Sequence, residues 1–192
     1  MLFVGTSIIH PSTEGVFLLC NILDLLIYSN NPKIQQDINR WKSIYRLDEL
    51  SDKCALLVLL ANYPEFRNLY IYRNSSRKIY VRLLRVFYKP MDSLYIYAKE
   101  IGGGLFIQHG FATMISAEYI GENCWINQQV TIGYNGQGKA PYIGNNVMIT
   151  CGAKVLGDIR IGNDVVIGAN AVVIRDVESG ATMGGVPAKK LK

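Results

Sequence analysis

Branched aliphatic residues recur every six positions through the second half of the chain: Ile143, Ile149, Val155, Ile161, Ile167 and Val173. The residue after each is Gly144, Thr150, Leu156, Gly162, Gly168 or Ile174, mostly small. The fourth after each is Val147, Ala153, Ile159, Val165, Ala171 or Val177. Shorter runs with the same period hold Ile120, Ile126 and Ile132, and Ile101 and Ile107. An α-helix repeats at 3.6 residues and an isolated strand at 2, so neither uses a period of six. One short strand plus one turn does. The anchor then points inward and stacks on the anchor of the next coil, while the small residue lets the chain turn. Three such faces close a coil of about eighteen residues. The expected fold is mainly β, a parallel β-helix of hexapeptide repeats from Ile101 to about Val177.

The repeat has two interruptions. Thr113 to Tyr119 reads as one residue too long, and Gly133 to Tyr142 carries the Gly-rich insertion 134-YNGQGKAPY-142. Insertions on a rigid scaffold project as loops, and such loops often carry function. Before residue 93 the grammar is helical. The stretch 31-NPKIQQDINRWKSIYRL-47 predicts an amphipathic helix opening at Asn31, with Pro32 in its first turn. Leu47, Leu50, Cys54, Leu57, Val58 and Ala61 predict a second helix, and Ile79 to Phe87 is a further apolar stretch. Three or four helices account for residues 14 to 90. The expected domains are a helical region over 1–92 and a β-helix with a short tail over 93–192.

Composition narrows the class. Hydrophobic residues are 49% and charged residues 18% of 192, a globular balance. The best apolar run, Val16 to Ile27, falls short of the roughly 20 residues of a membrane span and contains Asn21 and Asp24. Met1 to Ile9 carries no positive segment, so no signal peptide is expected. Cys20, Cys54, Cys124 and Cys151 are scattered without CxxC spacing, which predicts reduced, buried thiols, no zinc and a cytoplasmic location. The net charge of +5 draws on Arg73, Arg77, Lys78, Arg82, Arg85 and Lys89. These predict a solvated helix face, or attraction to an anionic ligand or a membrane surface. No recognition motif points to nucleic acid.

There are two histidines. His10 lies outside the repeat and is read as structural. His109, in 107-IQHGFAT-113, occupies an outward third position of a coil face. Residues 95 to 190 resemble the hexapeptide-repeat acyltransferases of the serine acetyltransferase branch. The matching stretches are 101-IGGGLFIQHG-110, 126-INQQVTIG-133, 143-IGNNVMITCGAKVLGDIRIGNDVVIGANAVV-173 and 184-GGVPAK-189. The resemblance implies a left-handed parallel β-helix, a homotrimer or dimer of trimers with active sites between subunits, and acetyl-CoA as donor, with no metal. It places His109 at the catalytic base. Imidazole suits the removal of a hydroxyl proton near neutral pH. Gly133, Tyr134, Cys151, Ala153 and Ala169 resemble the positions along which CoA lies, and Lys189 one that meets a CoA phosphate.

The chain also departs from that branch. The Asp before the catalytic His is Gln108, and the Arg-His-Pro of the long loop is 139-KAP-141, with Ala140 at the His. The upstream Asp that orients the imidazole is Leu94, which leaves Asp92 as the expected orienting acid. The His-Gly-Phe sequence and short loop look closer to acetyltransferases of capsule and exopolysaccharide synthesis. Gln108, Gln128, Tyr134, Asn135, Lys139 and Tyr142 are the expected acceptor-binding residues. The expected activity is O-acetylation of a sugar hydroxyl in a polysaccharide or its precursor. The alternatives are serine O-acetylation and an inactive β-helix scaffold.

Overall fold

The computed structural model describes residues 31–136 and 138–192. His10, Cys20 and the Val16 to Ile27 stretch lie outside them. Among the described residues four helices come first. Helix α1 (Pro32–Tyr45) opens as expected: the Asn31 side chain accepts from Lys33 N at 2.9 Å and Pro32 stands in the first turn. Helix α2 (Asp52–Asn62) starts only after Ser51, whose hydroxyl caps it, so Leu47 and Leu50 lie in the preceding turn. Helix α3 (Pro64–Arg73) follows, then α4 (Lys78–Phe87). In α4 only Leu84 is buried, so the apolar stretch over Ile79 to Phe87 is not a core element.

The rest is a parallel β-helix with three faces. Sheet I holds β1 (Leu94–Ile96), β3 (Thr113–Ile115), β6 (Thr131–Gly133), β9 (Lys154–Leu156) and β12 (Val172–Val173). Sheet II holds β4 (Tyr119–Ile120), β7 (Tyr142–Ile143) and β10 (Arg160–Ile161). Sheet III holds β2 (Phe106–Ile107), β5 (Trp125–Ile126), β8 (Met148–Ile149), β11 (Val166–Ile167), β13 (Thr182–Gly184) and an antiparallel end strand, β14 (Lys189–Lys190). Register sets Ile107 beside Ile126, Ile126 beside Ile149 and Ile149 beside Ile167. Every anchor from Ile101 to Val173 is at most 2% exposed, so the six-residue period is the core itself.

The corner between sheets II and III explains its glycines. The Asn145 carboxamide oxygen accepts from Glu122 N and the Asn163 oxygen from Asn145 N, each at 2.8 Å. A Cβ on Gly121 would stand 2.3 Å from that Asn145 oxygen and 2.5 Å from the Gly144 carbonyl. Only glycine leaves room for the side-chain ladder to replace backbone pairing where the strands turn away.

The helices close one end of this solenoid. Among the described residues the first coil has no coil below it, so its backbone groups need other partners. Asp37 of α1 accepts from Gly104 N at 2.8 Å and Leu105 N at 3.2 Å, and Trp41 Nε1 donates to Leu105 O at 2.8 Å. Arg73 of α3 donates to the Ile101 and Gly102 carbonyls, each at 2.5 Å, and pairs with Asp37. Burial pushes the Asp37 carboxyl above its ordinary range, while Arg73 and the two backbone donors pull it back. Ile34, Ile38, Trp41 and Phe66 join Leu105, Phe106 and Ile107 in one continuous core.

Candidate active site

The edge between sheets III and I gathers the residues of chemical interest. Two positions beyond the stacked anchors Ile107, Ile126, Ile149 and Ile167 stand His109, Gln128, Cys151 and Ala169. The last three form one column, with Gly152 N donating to Gln128 O and Asn170 N to Cys151 O. It spans about 10 Å at the usual interstrand spacing of about 4.8 Å. On the coil before, Gln129 N donates to Phe111 O, so His109 stands in the turn that leads into that column.

His109 sits where this edge is enlarged. Ile115 pairs with Ile132, and Ile107 with Ile126. The chain therefore uses eight residues from Ile107 to Ile115, where the next coil uses six from Ile126 to Ile132. From Ile115 to Ile120 it uses five. The sequence pattern put a single extra residue between Thr113 and Tyr119. The structure puts two at Gln108 to Ala112 and removes one after β3, because Thr113 to Ile115 must pair with both β1 and β6. His109 (φ 56°) and Ala112 (φ 51°) adopt the left-handed conformation that turns this longer corner, and the His109 side chain is exposed. The His109 carbonyl accepts from Phe111 N. Gly110 is buried beneath it: a Cβ there would lie 2.9 Å from Ile107, 3.0 Å from Leu94 and 3.2 Å from Glu65 of α3. The histidine corner is thus seated on the helical cap.

Around it, two amides matter. Asn127 Nδ2 donates to Gln108 Oε1 at 3.0 Å across adjacent coils, a contact that sequence reasoning missed because it depends on register. Gln128 Oε1 is buried with no hydrogen-bond partner among the described residues. Such an orphan acceptor costs about 1–3 kcal/mol unless a ligand or a second chain supplies a donor.

Asp92 does not orient the imidazole in this arrangement. It pairs with Lys89 at 3.1 Å on an exposed turn. Among the described residues the His109 imidazole has no hydrogen-bond or ion-pair partner. Tyr134, Asn135 and Lys139 are exposed on the insertion between β6 and β7. That loop is tied at its end, where Glu118 N donates to Pro141 O at 3.0 Å. The Lys99 ammonium, 2.6 Å from Glu118, holds that carboxyl below its usual range. Tyr142 belongs to sheet II, stacked on Tyr119 at 4.6 Å with the Arg160 guanidinium 5.2 Å from its ring. The loop leaves sheet I at the edge facing sheet II, while His109 enters at the edge facing sheet III. One chain does not bring them together.

Of the expected CoA-contacting residues, Cys151 and Ala169 lie on the histidine edge, half-buried and exposed respectively. Ala153 is 0% exposed and points into the core, so its side chain meets no ligand. Gly133 ends β6 near the loop, with Tyr134 beside it. Lys189 is exposed on β14. The segment before it, through Gly185 O and Ala188 N, bonds to both backbone groups of Val172 and so closes the same edge at its far end.

Known proteins agree with this architecture. A family model described as bacterial transferase hexapeptide (six repeats) matches residues 140–175. The serine acetyltransferase of Synechococcus elongatus is 38% identical over 146 residues, 70% of this chain and 60% of that protein. That of Synechocystis is 43% identical over 147 residues, 70% of this chain and 59% of that protein. The chain thus spans about six-tenths of the length of these curated relatives. The crystal structure of the Neisseria gonorrhoeae serine acetyltransferase in complex with serine is similar at TM-score 0.63 and 27% identity, covering 93% of this chain and 74% of that one. A serine acetyltransferase complex with CoA is similar at TM-score 0.60 and 26% identity, covering 89% and 75%.

Repeat, fold and matches place the chain in the hexapeptide-repeat transferase superfamily. Within it, the likeness runs to the serine acetyltransferases. This overturns the expectation of a sugar acceptor drawn from Gln108 and Ala140, because the relatives and structures matched are serine acetyltransferases.

Proposed function

We propose that this chain is an acetyl-CoA-dependent O-acetyltransferase whose acceptor is the hydroxyl of serine. The observation that carries the reading is His109 exposed in the enlarged turn of the edge whose column holds Gln128, Cys151 and Ala169, with an unused buried acceptor, Gln128 Oε1, on the adjoining coil. His109 takes the proton of the serine hydroxyl as its oxygen bonds the acetyl carbonyl carbon. The carbon–sulfur bond then breaks, and His109 returns the proton to the departing thiolate. Serine presents an ammonium with three donors, and Gln128 Oε1 needs one donor. That pairing offers the acceptor a partner where Gln108 carries no charge. The exposed small side chain of Ala169 and the half-buried Cys151 leave the edge open for the pantetheine arm, with Lys189 at the end where phosphates would lie.

The same reading includes a homotrimer. His109 and the 134–142 loop lie on opposite edges of sheet I, so a neighbouring copy is what would bring a loop to each histidine. Both substrates are small and water-soluble, which suits a cytoplasmic enzyme. Among the described residues no helix is long and apolar enough to cross a membrane.

The test is release of free CoA thiol from acetyl-CoA on adding L-serine. His109→Ala should lower kcat by about 10²–10⁴-fold with little change in KM. Release that does not depend on serine, or an unchanged rate in the variant, would overturn the reading.

A further inference from the structure

We infer that helix α4 is a docking surface for an anionic membrane, lying in the headgroup region without spanning it. Three arcs of this helix have different surroundings. Tyr80, Val81 and Leu84 face the body, and Tyr80 Oη is 3.1 Å from Tyr70 Oη, which fixes the helix's rotation. Ile79, Leu83, Val86 and Phe87 fall together on a second arc at 3.6 residues per turn, and they are 81%, 58%, 75% and 79% exposed. Lys78, Arg82 and Arg85 occupy the third arc, along a cleft of about 650 Å³ between α4 and β1. None of these three cations has an ion pair or hydrogen bond among the described residues. On β1 across the cleft, Tyr95 and Tyr97 are 45% and 64% exposed.

A fixed helix with an outward apolar arc, an adjacent unneutralised basic arc and flanking tyrosines has the makeup of an interfacial helix. Charge selects among possible occupants. Helix α4 carries no acidic residue, and Asp92 on the cleft rim is already paired with Lys89. Two-fold pairing of this face with a second copy would set six cations, three from each chain, around one apolar contact, with no carboxylate from α4 to offset them. Phospholipid headgroups offset them, and the acyl boundary receives Ile79, Leu83, Val86 and Phe87.

The experiment is co-sedimentation of the full chain with vesicles of phosphatidylcholine alone or mixed with phosphatidylglycerol, at low and high salt. Binding should require the anionic lipid and weaken as salt rises. Arg82→Gln and Arg85→Gln should each weaken it about fivefold. Leu83→Asp with Val86→Asp should abolish it. Acetyl transfer in solution should stay unchanged in all of these, since α4 contributes nothing to the histidine edge. Absence of binding to either vesicle, or equal binding to both, would overturn the inference. So would a wild-type chain that binds neither vesicle and whose particle mass falls in the Leu83→Asp, Val86→Asp variant, which would make the face a self-association surface.

Discussion

His109 is legible in the sequence as an outward histidine of a coil, but its surroundings are not. The distance from Ile107 to Ile120 shows one surplus residue, and no pattern says that the surplus is two on one side of β3 and minus one on the other. Pairing decides that, and with it which amides stand beside the imidazole. Gln128 is the consequence most open to measurement. If its orphan oxygen receives the serine ammonium, Gln128→Leu should raise KM for serine by roughly 5–150-fold, the equivalent of about 1–3 kcal/mol, and leave KM for acetyl-CoA unchanged. Equal changes in both constants in steady-state kinetics would remove that role. Cys124, read from the sequence as a small core residue, donates to Gly144 O at 3.2 Å, and burial pushes its thiol from 9.0 up to about 11. Below pH 9 both folded and unfolded chains hold the proton. Between pH 9 and 11 the unfolded chain ionises first, so this residue makes folding weaker by about 1.4 kcal/mol per pH unit. Urea unfolding of the wild type against Cys124→Ala should show the difference shrinking across that interval and flat below it.

Helix α1 was readable from Asn31 and Pro32 because a cap is a local signal. What the helix does was not readable, because its partners lie 64 to 68 positions away along the chain. The first coil exposes backbone donors and acceptors that every later coil satisfies by stacking, and Asp37, Trp41 and Arg73 satisfy them instead. The Asp37 and Arg73 side chains are 2% and 3% exposed, so removing either strands a charge. Asp37→Ala should cost about 3–5 kcal/mol in chemical unfolding, and Asp37→Ala with Arg73→Met should recover part of that loss. A single-variant cost below about 1 kcal/mol would mean that the cap is not what holds the first coil. Helix α4 gives the opposite lesson. Its sequence reads only as a further apolar stretch with basic residues interleaved, and the packing decides which part is covered: three positions, Tyr80, Val81 and Leu84, meet the core and leave the larger apolar arc outside.

At the scale of the molecule, the two interruptions of the repeat sit on different edges of the same sheet. The first shapes the histidine corner. The second spends eleven residues from Ile132 to Ile143, where a regular coil spends six, and ends in the buried Ala140 and Pro141. If a cyclic trimer sets the loop of one chain against the histidine of the next, the two can be supplied by different chains. Co-expression of a His109→Ala chain with a chain lacking residues 135–139 then tests the arrangement directly. Each variant alone should be inactive. Random mixing in a trimer should leave about a quarter of the clefts with one intact histidine and one intact loop, and serine-dependent CoA release should recover to about that fraction of wild type. If each chain instead held a complete site, mixing would restore nothing, because every site would lack either its histidine or its loop.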